Sequence, residues 1–405
     1  MVRFAFSTRR LIAGLGLTAG LAVLGAIVFA NQTPRLPPGI SSDEYEQAAG
    51  AIERKRGSAA ELEEVLIELG ESAASKSQWE TALACFAQIP EDHPRYGHLR
   101  FYQQGQLLIE LNRLGAAEEN LKRFLELEER SEQMAPEHRT LTRRYLSYLL
   151  AVQLRFEERR QLLADMIRSG EADTFDILAY CFPSSLVWNS AHGAWRIENG
   201  VRQEPENVQV AVALGRYRTG QGRIDEARQI LEDCCREEPD SLPAKAALLA
   251  CHFESGDDQA MDDVAATLPP TSDSEPWLLL RMRGHMHHRN GKYREAVDCF
   301  QRVLLADPAN VESHLGLARA FASWQEPEKS RTFAAKAGRL ARIQNRLGSA
   351  TQSPDQVQPL AEIAEICEEA GLDEQAWMVG QLALSRDPMN AMAQAVQSRL
   401  AEKHK

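Results

Sequence analysis

Three histidines fall within four positions, His285, His287 and His288, and are the side chains here best suited to hold a metal. On a helix His285 and His288 share a face and could both reach one ion, while His287 points elsewhere. Two imidazoles do not complete a structural zinc site, and the sequence identifies no third ligand, so no metal is expected. Acidic pairs such as Glu63-Glu64, Asp257-Asp258 and Glu368-Glu369 are plentiful. Paired carboxylates catalyse only where a pocket drives their pKa values apart, and solvated helix faces account for these. The chain has no G-x-S-x-G, no P-loop, no G-x-G-x-x-G after a strand and no H-E-x-x-H. The expectation is a protein that is not an enzyme and needs no cofactor.

The elements that would position such groups follow from composition and spacing. The 405 residues are 44% hydrophobic and 26% charged, enough to fold and bury large cores. Aromatics make up only 7% while Ala and Leu abound, which leans toward helix. Fifty-eight acidic against 46 basic side chains give a formal charge of −12. That balance opposes a nucleic-acid binder, because affinity for a phosphate backbone comes from clustered Lys and Arg.

Residues 11–30, LIAGLGLTAGLAVLGAIVFA, carry no charge. At about 1.5 Å per residue they reach about 30 Å, the thickness of a bilayer's hydrocarbon core. Arg3, Arg9 and Arg10 precede them and a Pro-rich stretch, 31–42, follows. The positive-inside bias therefore predicts a cytoplasmic segment 1–10, a single transmembrane anchor 11–30 in contact with the lipid bilayer, and a body on the extracytoplasmic, periplasmic side. Alternatives are a cleaved signal, for which Val28 and Ala30 fit the small-residue pattern, a twin-arginine export signal at Arg9-Arg10, and a buried core helix.

The body repeats. From Gly284, residues Gly291, Ala296, Phe300 and Pro308 stand 7, 12, 16 and 24 positions on. From Gly215 the same offsets meet Gly222, Ala227, Leu231 and Pro239, and from Gly70 they meet Ser77, Ala82, Phe86 and Pro94. From Ala364 they meet Gly371, Ala376, Gly380 and Pro388. A small residue lets two helices of a hairpin approach closely, the next Gly suits a left-handed C-cap, and the Ala and the bulky residue four later share the packing face. Pro then ends the second helix.

These residues resemble the tetratricopeptide repeat, and the stretch 277–310, with Tyr293 two positions after the turn Gly, is close to that pattern apart from Arg283, where the family usually has Leu. The resemblance implies an all-α fold, a right-handed superhelical solenoid of about nine helical hairpins over 63–396. Units around Leu146, Leu249 and Ala318 depart from the pattern: the second ends its short helix at Pro269-Pro270, and in the third Pro327 displaces the turn. A capping helix is expected over 43–57 with Ser42 as N-cap, and a polar insertion near 344–358.

In the family the first helix of each hairpin lines a concave surface where extended peptides dock. Carried onto this chain, that face holds Arg281, His285, His288 and Arg289, with Arg216 and Arg319 just after the small slot in two other units. The same slot holds Glu71, Gln106, Ala250 and Glu365. A basic wall in an acidic protein points to an anionic protein or peptide segment gripped by Arg forks. The plainer alternative is an ordinary solvated helix face. The paired Asn residues of the family's carboxylate-clamp variant are absent at the corresponding slots.

The seven cysteines show no C-x-x-C spacing. Cys85 and Cys299 precede the bulky second-helix residue, a packing position for a thiol that behaves as a small hydrophobe. The expected function is a membrane-tethered scaffold or adaptor that binds a protein segment. Alternatives are an assembly subunit of a larger membrane complex, a secreted form released by signal cleavage, and an enzyme using His285 and His288.

Overall fold

The computed structural model describes residues 36–56, 61–128, 136–184, 190–272, 275–352 and 357–403. The expected segments 1–10 and 11–30 lie outside them. Among the described residues no helix is long and apolar enough to cross a membrane. Every regular element there is helical, twenty α-helices in all, and the chain divides into two compact units, 1–134 and 135–405.

The first unit holds α1 (Ser42–Arg56) and two hairpins, α2 (Leu62–Ser75) with α3 (Trp79–Ala87) and α4 (Gly97–Glu110) with α5 (Leu114–Glu128). Ser41, one residue before the expected cap, starts α1. Its hydroxyl accepts from the Glu44 N–H at 3.3 Å while Glu44 Oε2 accepts from the Ser41 N–H at 3.0 Å, a reciprocal capping box. The apolar residues Tyr45, Ala48, Ala49 and Ile52 then recur at helical spacing and cover Val65, Leu69 and Cys85 of the first hairpin.

The second unit opens with the hairpin α6 (Pro136–Val152) and α7 (Phe156–Arg168), followed by α8 (Thr174–Cys181) and α9 (Ser190–Gln203). Five hairpins follow: α10 (Val208–Gly220) with α11 (Ile224–Glu237), α12 (Leu242–Ser255) with α13 (Asp258–Ala265), α14 (Trp277–Arg289) with α15 (Tyr293–Ala306), α16 (Val311–Ser323) with α17 (Pro327–Gln352), and α18 (Val357–Glu369) with α19 (Asp373–Arg386). The last helix is α20 (Ala391–Lys403).

One geometric rule unites the hairpins. The residue seven past each small slot is left-handed, with φ of 60° at Ser77, 59° at Asn112, 58° at Leu154, 74° at Gly222, 71° at Gly256, 71° at Gly291, 61° at Gln325 and 71° at Gly371. Units whose side chains depart from the sequence pattern therefore keep its turn. Pro327 does not move that turn: it enters at the first position of α17, where a missing N–H costs nothing. At the far end of the hairpins Glu238, Asp307 and Asp387 are extended, with ψ of 80°, 79° and 91°, because each precedes a proline. Two residues past Pro205, Pro308 and Pro388, the side chains of Asn207, Asn310 and Asn390 cap the next helix.

The polar stretch expected as an insertion is helical as far as Gln352, and 353–356 lie outside the described residues. Leu340, Ile343, Leu347 and Ala350, spaced three and four apart, are all buried, and that apolar stripe carries α17 through its polar neighbours. The unit counted from Cys181 is pulled apart instead. Pro183 stops α8 after eight residues, and α8 packs on α7 and α19 while α9 packs on α6 and α10.

Candidate functional site

In the second unit the first helices α10, α12, α14 and α16 lie side by side. The chain's own segment from Val152 to Ser184 runs across them. Arg216 of α10 donates through Nη1 to the Leu154 carbonyl at 2.7 Å, and its guanidinium lies 5.6 Å from the Phe156 ring centre. Tyr217 OH donates to the Val152 carbonyl at 3.1 Å. At the start of α14 the Trp277 N–H donates to Glu157 Oε1 at 2.6 Å. Farther along, Ser184 Oγ donates to Asp307 Oδ2 at 2.6 Å. Leu178, Cys181 and Phe182 join one core with Leu360, Ala361, Cys367 and Val379.

Between the 153–158 turn and helices α10, α12 and α14 a cavity of about 440 Å³ remains, its lining including Phe156, Glu157, Arg216, Trp277 and Arg281. Arg281 is ion-paired to Glu312. Burial, reinforced by Arg216, lowers the Arg281 pKa to about 10. His285 is stacked on Phe253 (ring centres 4.4 Å apart, 26° between planes) and meets Phe300 edge-on at 5.1 Å. Burial above all, then the charges of Arg281, Arg319 and His288, push its pKa down to about 4. His288 Nε2 lies 3.0 Å from Ser323 Oγ. Arg289 is bound to Asp258 at 2.6 Å and to Asp262. Arg319 is exposed and makes no hydrogen bond or ion pair among the described residues.

The structure thus gathers the guanidiniums of Arg216, Arg281 and Arg319 near His285 and His288: Arg216 depresses Arg281, and Arg281 and Arg319 help burial to keep His285 neutral. Arg289 faces the acidic start of α13 instead. Among the described residues no third metal-ligating side chain joins His285 and His288. All seven cysteines are free thiols. Burial raises Cys85 and Cys299 to about 11 and Cys234 to about 12, so none of these three is a ready nucleophile.

Among the buried carboxylates that sequence reasoning missed are Glu275 and Asp307. Glu275 pairs with Arg283 at 2.8 Å, and Arg283 also donates to the Pro269 carbonyl at 2.7 Å. This explains why Arg stands where the repeat usually has Leu: it stitches the Pro269–Pro276 break to α14. Asp307 is fully buried, and burial raises its pKa. Nothing in the Asp307-Pro308 pair distinguishes it beforehand from the Asp387-Pro388 pair, where Asp387 is half-buried.

Two stretches, 281–348 and 100–131, match sequence profiles described as tetratricopeptide repeat, and the first of them extends over the unit around Ala318, which departs from the side-chain pattern. These two stretches carry tetratricopeptide repeats. Proteins with such repeats generally mediate protein–protein interactions. No curated protein matches the chain. Among solved structures it is similar to one titled for the functional characterization of Pseudomonas aeruginosa pilF, at 19% identity over 49% of this chain and 85% of that one, TM-score 0.29. A tetratricopeptide repeat protein from Parabacteroides merdae ATCC 43184 aligns at 13% identity over 65% of this chain and 100% of its own, TM-score 0.30. The yeast Tom70 structure aligns at 11% identity over 83% and 80%, TM-score 0.27. Such low scores carry no statement about what this chain binds.

Proposed function

We propose that this chain is a protein-interaction scaffold that takes an acidic segment of a partner on the basic faces of α14 and α16. The observation that carries this reading is the approach of the Arg281 and Arg319 guanidiniums to one another around neutral His285, with Arg319 exposed and lacking a carboxylate partner among the described residues. An acidic side chain placed there relieves repulsion among cations and gains an Arg fork. Arg281 and Arg289 already hold carboxylates, so reversing their charge would set like charges face to face and cost stability. Arg319→Glu is the cleaner probe. On an array of Asp/Glu-rich peptides the wild-type chain should retain a salt-sensitive subset and the variant should lose it, with unchanged melting. Equal retention by both proteins would defeat the reading.

The residues 11–30 support a bilayer tether with the N-terminus cytoplasmic and the repeats on the extracytoplasmic side. Protease accessibility of the repeats in sealed cells, against permeabilised ones, tests that placement. A second reading, a subunit held permanently in a membrane complex, draws support from half-exposed Trp195 and Trp377. It requires a stoichiometric partner that survives high salt on detergent extraction.

A further inference from the structure

The placement of α8 points to a function for the segment itself. Its local period assigns it to a hairpin with α9, yet it lies antiparallel on α19, with Thr174 beside Arg386 at one end and Cys181 beside Met378 at the other. Leu178 and Cys181, with Phe182 just past its end, are fully buried against α18, α19 and the start of α16. On the other side of α8, Ala179 packs on Leu163 and Met166 of α7, and Asp176 pairs with Arg144 of α6 at 3.2 Å. The ends are held by polar contacts: Arg386 Nη2 donates to Thr174 Oγ1 at 2.6 Å, and Ser184 Oγ donates to Asp307 Oδ2 at 2.6 Å. This is how a short amphipathic helix of another protein would sit on a repeat surface, except that the helix is supplied in cis.

The seat does not need its occupant in order to fold. Helices α18 and α19 form a complete hairpin with a left-handed turn at Gly371, and Ala364, Ala376, Val379 and Ala383 lie in its core. The occupant does need the seat. Eight residues fall below the about 12–15 at which an isolated helix holds in water. The latch is also imperfect, because the second oxygen of buried Asp307 has no hydrogen-bond partner among the described residues.

We propose that residues 171–184 are a displaceable internal ligand: α8 occupies a helix-binding seat on α16, α18 and α19, and an amphipathic helix of a partner takes its place. This does not rest on the acidic-segment reading, which concerns the faces of α14 and α16. Occupation in cis lowers the apparent affinity for any competing helix by the fraction of time the seat is open.

Two measurements on the full chain decide it. In hydrogen exchange of the wild type, amides of 175–181 should exchange at least about tenfold faster than those of 360–367 and 376–383, since a seat-dependent helix opens without its seat. Equal rates would mean that α8 opens only with the unit and would overturn the proposal. The second measurement uses a fluorescein-labelled peptide of residues 171–184 under reducing conditions. Leu178→Asp should unseat the internal copy and bind this peptide at least about tenfold more tightly than the wild type. A folded variant that takes up no peptide sinks the idea, as does a variant whose cooperative melt is lost, because α8 would then be an integral part of the core.

Discussion

Arg216, on the helix face that the repeat pattern assigns to ligands, gives its Nη1 hydrogen to the carbonyl of Leu154, 62 residues earlier in the chain. The same Leu154 is the left-handed turn residue of the α6–α7 hairpin, so one guanidinium anchors the tip of that hairpin onto α10. A charge-assisted hydrogen bond of this kind contributes about 1.5–3 kcal/mol. Arg216→Ala should destabilise the chain by about 2 kcal/mol in urea titration and speed amide exchange over 153–158 before other segments. Unchanged exchange there would show that the tip is held by Tyr217 and Glu157 alone.

The hairpin rule was legible because its physics is local. A left-handed turn, a small residue facing a bulky one, and a proline after the second helix are each set by neighbours within one repeat, so Gly284, Phe300 and Pro308 announce themselves. Leu154 and Gln325 show why the weak units still fold, and Ser77 and Asn112 show the same in other units: one costly φ at a turn tip is outweighed by a hairpin's buried core. What the spacing could not reveal is the path of α8, since its contacts with α19 join residues about 200 positions apart. Pro183 was the available hint, because it cuts the first helix of its unit before the turn slot. The candidate basic face was legible as a set of positions, whereas its pairing was not. Glu312, Asp258 and Asp262 neutralise Arg281 and Arg289 from neighbouring helices whose facing residues no single repeat specifies.

Gln325 is exposed, with φ of 61° between α16 and α17. A non-glycine residue in that region costs about 1–2 kcal/mol, while glycine loses about 0.5–1 kcal/mol of chain entropy on folding. Gln325→Gly should therefore raise stability by about 0.5–1 kcal/mol. A calorimetric melting temperature at or below the wild-type value would contradict the left-handed assignment at this turn.

His285 makes the stability of the second unit depend on acid. Its folded pKa is depressed to about 4 by burial and by the surrounding cations, against 6.5 for the free side chain. A depressed pKa means the unfolded chain takes up a proton first, so the contribution is present above pH 6.5 and is lost as pH falls toward 4, reaching at most about 3 kcal/mol. His285→Phe retains an aromatic ring between Phe253 and Phe300 and cannot titrate. Between pH 7 and pH 4.5 the wild type should lose about 2 kcal/mol more than this variant. Parallel pH profiles in urea titration would count against a neutral, stacked His285.

Phe300 lies between two glycines of successive first helices, and a Cβ at Gly284 or at Gly316 would stand 2.8 or 2.6 Å from its ring. No rotation of a planar ring flanked on both sides relieves that overlap, so α14 or α16 must shift. Gly316→Ala should cost about 1–3 kcal/mol, the range for overpacking a filled core. Phe300→Leu alone should cost roughly 1 kcal/mol through its smaller volume and lost His285 edge contact. In the double variant the shorter side chain leaves room for the new methyl group, so the two losses should not add. The coupling energy of the cycle should be at least about 0.5 kcal/mol in the favourable direction. Strict additivity would mean that α16 reaches its neighbour through contacts other than the Gly316–Phe300 approach, and the spacing of these two repeats would need another cause.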